Sequence, residues 1–464
     1  MFVASLLTLA ASAQDPPAQA PPRLVHAVCD ISQSFTFYMD GRFHRQYLEG
    51  HGRDARNWGS LAKLELGNVN LLVLTGGDVH VPYAADAIAN VQDFVRAGGA
   101  LLLMADGGDP EPPGAAVAGA FDARLEDVPA RAPLRGLGEF AKAAIEFRGG
   151  KTLRLTKDWT PLLVDARDRP VLARRDFGKG QVLLGSRGLF GQNPDASDPI
   201  NAAWVTPLLV GAAARKAVEA ALPHDSTWAE LTRQVGPLTL EFHAGTAPYA
   251  DAIASEYQAA YPHLVAVTGV EPAPGMIKKL LVLPTGGGGF SSGERIAIGA
   301  WWGGYPGNRY PMVELIGHEA GHSWVLPYAE PLWNEPIATW LGIQVGRRMQ
   351  LKDADATLAR QIAAGRRHDP DFTAHDPLAK DAPRDLVWGK AFFVFEELEK
   401  AHGPGAMAKY FRTKRRVLAP GRAGYSMDDC VAVWSLAVGE DLFPWFRSLS
   451  FDVDRARTDL PEPR

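Results

Sequence analysis

His318-Glu319-Ala320-Gly321-His322 places two imidazoles one helical turn apart, with a carboxylate next to the first. On an α-helix residues i and i+4 share a face, so His318 and His322 can reach a single metal ion. Glu319 then sits beside the metal rather than on it, where it can take a proton from a bound water. Pro311 suits the first turn of a helix, Met312, Val313, Leu315 and Ile316 supply an apolar body, and Pro327 sets a stop. The pattern predicts a helix over 311–325. Gly321 within it costs about 1 kcal/mol relative to Ala, which points to a close approach at that backbone, by a neighbouring element or a ligand.

Zinc that does chemistry needs a third protein ligand and an open fourth position. Downstream, Leu332-Trp333-Asn334-Glu335-Pro336-Ile337-Ala338-Thr339-Trp340 reads as the start of a second helix, with Asn334 as cap and Pro336 in the first turn. Glu335 therefore projects from a helix start and is the preferred third ligand. Glu330 is its rival, in a short loop between Pro327 and Pro331 with nothing to fix its direction.

These residues resemble the gluzincin metallopeptidases, in which two His and one Glu hold zinc. The gap between His322 and Glu335 is shorter than in the M1 aminopeptidases and closer to the M60-like (enhancin-type) peptidases. The resemblance implies one zinc ion on His318, His322 and Glu335, with Glu319 as base, in a zincin fold. It implies hydrolysis of a peptide or protein substrate, glycoproteins included. Thr339 stands where thermolysin-like enzymes keep an Asp that orients a zinc-bound His, so that contact is expected from elsewhere. A zinc hydrolase also wants an electrophile to steady the oxyanion. Tyr410, Tyr425 and His402 are the positional candidates.

The chain has 464 residues, 46% of them apolar and 22% charged, enough for two or three globular domains. A net charge of -5 gives no reason to expect nucleic acid or an anionic membrane as partner. The one basic cluster, Lys414-Arg415-Arg416, reads as a solvated helix face. No stretch of about 20 apolar residues suggests a transmembrane span. Phe2 to Ala11 is apolar and Ala11-Ser12-Ala13 has the small-x-small form of a signal-peptidase site, although no Lys or Arg precedes the run. Residues 1–22 are therefore read as signal peptide and linker, and the protein as secreted or periplasmic. Cys29 and Cys430 cannot make a disulfide framework and read as buried free thiols.

From 23 to 220 the pattern is α/β. Leu24–Cys29, Asn70–Thr75, Ala100–Met104 and Gln181–Gly185 read as strands, with helices at Ala84–Ala97 and Ala202–Arg215. This order resembles class I glutamine amidotransferase-like (flavodoxin-like) domains. Such a domain needs a Cys nucleophile on a tight strand-to-helix turn. The turns here, Gly76-Gly77-Asp78 and Asp106-Gly107-Gly108-Asp109, carry none, and His80 has no thiol beside it. The domain is expected to support or bind rather than catalyse.

Pro223-His224-Asp225-Ser226 marks a boundary, and 221–464 is read as an α+β zincin domain with a helical C-terminal lobe. Pro237–Phe242 and Lys279–Leu283 read as strands, and Arg295–Trp302 as an edge strand bordering the cleft, able to pair with an extended peptide. Helices follow over Trp388–Lys400, Ala406–Arg416 and Asp428–Val438. The pairing of the two regions is similar in layout to the TRPM8 channel-associated factors. The alternative function is a non-proteolytic surface-binding or scaffold protein with a vestigial zinc site.

Overall fold

The computed structural model describes residues 24–32, 42–57, 59–75, 82–108, 111–191, 198–219, 229–328, 330, 334–421 and 425–454. The leader and linker of 1–22, the Gly76-Gly77-Asp78 turn, His80, Asp109 and the boundary at Pro223 lie outside them.

The N-terminal unit runs β1 (Val25–Asp30), α1 (Arg42–Tyr47), β2 (Gly52–Asn57), β3 (Leu71–Thr75), α2 (Ala85–Arg96), β4 (Ala100–Met104) and α3 (Gly114–Ala120). It continues with β5 (Ala123–Pro129), β6 (Arg135–Gly136), β7 (Lys151–Leu155), β8 (Thr160–Val164), β9 (Pro170–Phe177), β10 (Gly180–Gly185) and α4 (Ala202–Ala213). Its main sheet has the order β2-β1-β3-β4-β10-β9-β8-β6. The first five of these are mutually parallel, and β9, β8 and β6 extend the sheet antiparallel. β1, β3 and β4 are buried along their whole length, because helices or loops cover both faces of the parallel part. The helix α2 buries Ala87, Val91, Phe94 and Val95, a single stripe at helical spacing. Cys29 lies inside β1, and burial pushes its thiol up to about 12. That is the opposite of what a nucleophile needs.

The second unit is built on β11 (Leu231–Val235), β12 (Leu238–Phe242), α5 (Ala247–Thr268), β13 (Lys279–Gly286), β14 (Gly289–Ser291) and β15 (Arg295–Trp301). The helices α6 (Tyr310–Gly321), α7 (Asn334–Arg348), α8 (Ala354–Arg366), α9 (Arg384–His402), α10 (Ala406–Val417), α11 (Met427–Val438) and α12 (Phe443–Ser448) follow. The sheet order is β11-β12-β13-β15-β14. Arg295–Trp301 is therefore an inner strand, not the edge expected from its sequence. The glycine-rich 286–289 segment folds back so that β14 pairs antiparallel with β15 and takes the edge. Glycine makes this approach feasible, since a Cβ on Gly299 would lie 2.2 Å from the Gly287 carbonyl oxygen.

Alternation along β13 sets how the two units meet. Leu280 and Val282 join the core formed with α5, α6 and α7, whereas Leu281 and Leu283 join the buried cluster of the N-terminal unit. In β15 Ile296 and Ile298 face the helices, and Ala297 faces the N-terminal unit. The inner strands β13 and β15 are thus covered on both faces, which is why their sequences read as nearly continuous apolar runs.

Candidate metal centre

The helix α6 begins one residue earlier than its proline signal, at Tyr310, and its α-helical part ends at Gly321. His322-Ser323-Trp324 continues as a 3-10 turn, so His322 sits at the junction. The neighbouring helix α7 packs against α6 at glycine distance. A Cβ on Gly317 would lie 2.7 Å from Gly342 Cα, and one on Gly321 would lie 3.2 Å from Leu341 Cδ1. A packed helix is therefore what approaches Gly321. This contact brings the first two turns of α7, with Asn334, Glu335 and Thr339, opposite the two histidines.

The imidazole Nε2 atoms of His318 and His322 are 3.2 Å apart. Glu335 bridges them, with Oε2 3.6 Å from His318 Nε2 and Oε1 3.5 Å from His322 Nε2. Glu319 Oε1 lies 4.0 Å from His318 Nε2. Donor atoms of His318, Glu319 and His322 all fall within 4.8 Å of one another. Of the two carboxylates, Glu335 is the closer to both rings.

Contacts from α7 orient both rings. Thr339 Oγ1 donates to the Glu335 carbonyl at 2.9 Å, so at His318 Nδ1, 3.0 Å away, it can only accept. Asn334 Oδ1 accepts from His322 Nδ1 at 2.9 Å. A proton on Nδ1 of each ring satisfies both contacts and leaves the two Nε2 lone pairs for a shared electrophile. Two such lone pairs repel unless an electrophile lies between them. With Zn–N bonds of about 2.0–2.1 Å, a tetrahedral site has edges of about 3.3 Å, close to the spacing found. The donor set fits zinc. The orienting contact expected from elsewhere comes from Thr339 itself, which also accepts from Trp388 Nε1 at 3.4 Å. Asn334 was legible only as a cap. The available signal was position, since Asn334 and Thr339 flank Glu335 at i−1 and i+4.

Electrostatics follow burial. Burial, with the nearby His322 and Arg384, holds His318 down to about 3, so its ring is neutral near pH 7. Burial pushes Glu319 up to about 8, and the charges of Glu335 and Glu314 add to this. A bound cation acts in the reverse sense on such a carboxylate. The edge strand β14 closes over Glu319. A Cβ on Gly289 would lie 2.3 Å from the Ala297 carbonyl oxygen and 3.1 Å from Glu319 Oε1, so the pairing with β15 requires glycine where the strand passes that carboxylate.

Glu330 is placed quite differently from Glu335. Its side chain is buried in an ion pair with Lys414, Oε1 to Nζ 2.6 Å. Tyr410 donates to the same oxygen at 3.2 Å. Lys414 lies over the rings of Tyr328, Tyr410 and Phe411. It is thus not part of a solvated basic face, as its sequence context suggested. Tyr410 is stacked on Trp434 and committed to Glu330, and Tyr425 bonds both ways with the Ala419 backbone. Neither hydroxyl is brought to the histidines, and no described contact brings His402, at the end of α9, to them either.

A family profile described as a domain of unknown function, DUF4350, matches residues 44–209, within the N-terminal unit. No curated protein matches the chain. Among solved structures, an M1 zinc metallopeptidase from Deinococcus radiodurans is 15% identical, with 50% of this chain and 53% of that one covered and a TM-score of 0.32. A presumed GMP synthase component from Thermoplasma acidophilum is 14% identical over 41% of this chain and 94% of that one, with a TM-score of 0.28. The mmIFT52 N-terminal domain is 16% identical over 35% of this chain and 87% of its own, with a TM-score of 0.27. The chain spans about half of the metallopeptidase. At such scores none of these structures carries an assignment.

Proposed function

We propose that the protein is an exported zinc-dependent peptidase of gluzincin type, with an M60-like ligand arrangement. The observation that carries this reading is the pair of Nε2 atoms 3.2 Å apart with one carboxylate, Glu335, bridging them. A single zinc ion would be held by His318, His322 and Glu335. When bound, it supplies acidification of water and polarisation of a carbonyl.

Glu319 acts on protons. Its carboxylate stands off the ligand set, takes a proton from the attacking water and returns it to the leaving amine nitrogen. Burial under β14 keeps bulk water from that carboxylate. An extended peptide would add to the open side of β14, main chain to main chain, which lays the scissile carbonyl along the Glu319 side of the cleft. Among the described residues no helix is long and apolar enough to cross a membrane.

Metal analysis of the purified protein, combined with a peptide-library digest, tests the proposal. One zinc per chain together with cleaved peptides supports it. Bound zinc without cleavage of any peptide would favour the non-proteolytic, surface-binding role instead.

A further inference from the structure

The start of α9 brings a cation to the rim of the candidate metal centre. Arg384 is the first residue of that helix and is exposed. Its guanidinium carbon lies 4.7 Å from the centroid of the Trp388 ring, one turn on and on the same helix face. Trp388 is in turn tied to the centre. Its Nε1 donates at 3.4 Å to Thr339 Oγ1, the atom that stands 3.0 Å from His318 Nδ1. Arg384 is also close enough for its charge to act on the His318 ring. Thus β14 borders the centre at Glu319, while the Arg384–Trp388 pair borders it through Thr339.

Arg384 differs from an ordinary surface cation in what surrounds it. Among the described residues it makes no ion pair and no hydrogen bond, only the contact with Trp388. The acid next to it, Asp385, is turned instead to Arg367 at 3.2 Å. The first turn of a helix disfavours a cation, because the dipole is positive at that end. Local helix preference therefore does not explain Arg384, and such a conflict points to function. Contact with the indole restricts the guanidinium without using its N–H donors, which match a carboxylate two at a time.

We propose that Arg384 binds a carboxylate of the peptide substrate, at the C-terminus or on an Asp or Glu side chain, and gives the centre a preference for acidic peptides. The inference rests on the peptidase reading above and names its substrate class. The contact holds ground state and transition state alike, so it acts on affinity rather than on the chemical step.

Calorimetric titration of full-length Glu319→Gln protein in zinc-supplemented buffer of low ionic strength tests the proposal, the substitution keeping the peptide intact. The probes are acetylated tetra-alanine as free acid, its C-terminal amide, and that amide with one central alanine replaced by aspartate. An acidic probe should bind roughly tenfold or more tighter than the plain amide. The free acid leads if the C-terminus is read, and the aspartate peptide if a side chain is read. Adding Arg384→Gln should abolish the difference with zinc content and affinity for the plain amide unchanged, and Arg384→Lys should keep part of it. In turnover by protein with Glu319 intact, Arg384→Gln should raise KM for the acidic probe and leave kcat alone. Acid-selective binding that needs Arg384, in a protein that cleaves nothing, upholds this carboxylate site and sinks the peptidase reading. Equal or undetectable binding of all three probes, an acid preference that survives Arg384→Gln, or a kcat that falls alike for every probe overturns the carboxylate site, even where peptides are cleaved.

Discussion

Removing the Glu330 carboxylate should unfold the second unit more readily while leaving its metal site intact. Lys414 and Glu330 are 1% and 0% exposed and 2.6 Å apart, deep between α10 and the segment joining α6 to α7. Breaking such a pair from one side leaves a charge without a partner, at a cost of about 3–5 kcal/mol. For a unit of this size each kcal/mol moves the midpoint by roughly 2–4 °C, so a drop of roughly 10 °C is expected. Burial pushes the Lys414 ammonium down and the Glu330 charge opposes that, so removing Glu330 leaves burial unopposed by its main partner. The assay is a thermal scan of wild type and Glu330→Gln in excess chelator, which removes metal linkage from the comparison. Adding Lys414→Met to Glu330→Gln should recover most of the loss, since an apolar pair of similar volume is tolerated. Glu335→Ala should behave oppositely. Its side chain is 50% exposed, so the chelated protein keeps its midpoint while zinc affinity collapses. A Glu330→Gln protein with an unchanged midpoint but no zinc would refute this reasoning and make Glu330 the ligand.

Thr339→Val removes the acceptor at His318 Nδ1 and should weaken zinc binding by about 10–100-fold, measurable by competition with a chelating dye; an unchanged affinity would show that the tautomer is set otherwise. A fragment beginning near Pro223 retains all the proposed ligands but bares Leu281, Leu283 and Ala297. It should bind zinc yet aggregate, and light scattering showing a monodisperse fragment would contradict the two-sided burial of the sheet. Asp30, buried among Tyr83, Asn57 and Ser32, is pushed up to about 6 chiefly by burial. A raised carboxylate favours the folded state below its unfolded value near 4 and loses that contribution as pH climbs to about 6. Asp30→Asn should therefore flatten a decline in stability over that window, seen in denaturant titrations; an identical slope in the variant would refute it.

The helix pair at the candidate metal centre was legible because its signals are local. The i, i+4 spacing of His318 and His322, the cap at Asn334 and the proline at 336 all act within one or two turns. So were the buried strands of the N-terminal unit, whose apolar runs end at glycine turns. What was not legible depends on residues distant in the chain. Glu330 looked undirected because its partner, Lys414, lies on a helix whose own pattern suggested solvent. β14 was hidden because 286–293 is nearly all glycine and serine, and it becomes a strand only through pairing with β15. Thr339 looked like the loss of an Asp, since no local rule tells that its hydroxyl is turned to the Glu335 carbonyl and its lone pairs to His318.

The central claim is that Glu319 moves protons while His318, His322 and Glu335 hold the metal. The most direct measurement is zinc content and peptide hydrolysis on the same preparation of Glu319→Gln. The account predicts close to one zinc per chain, as in wild type, with hydrolysis lower by orders of magnitude. Zinc retained with full hydrolytic activity would contradict it.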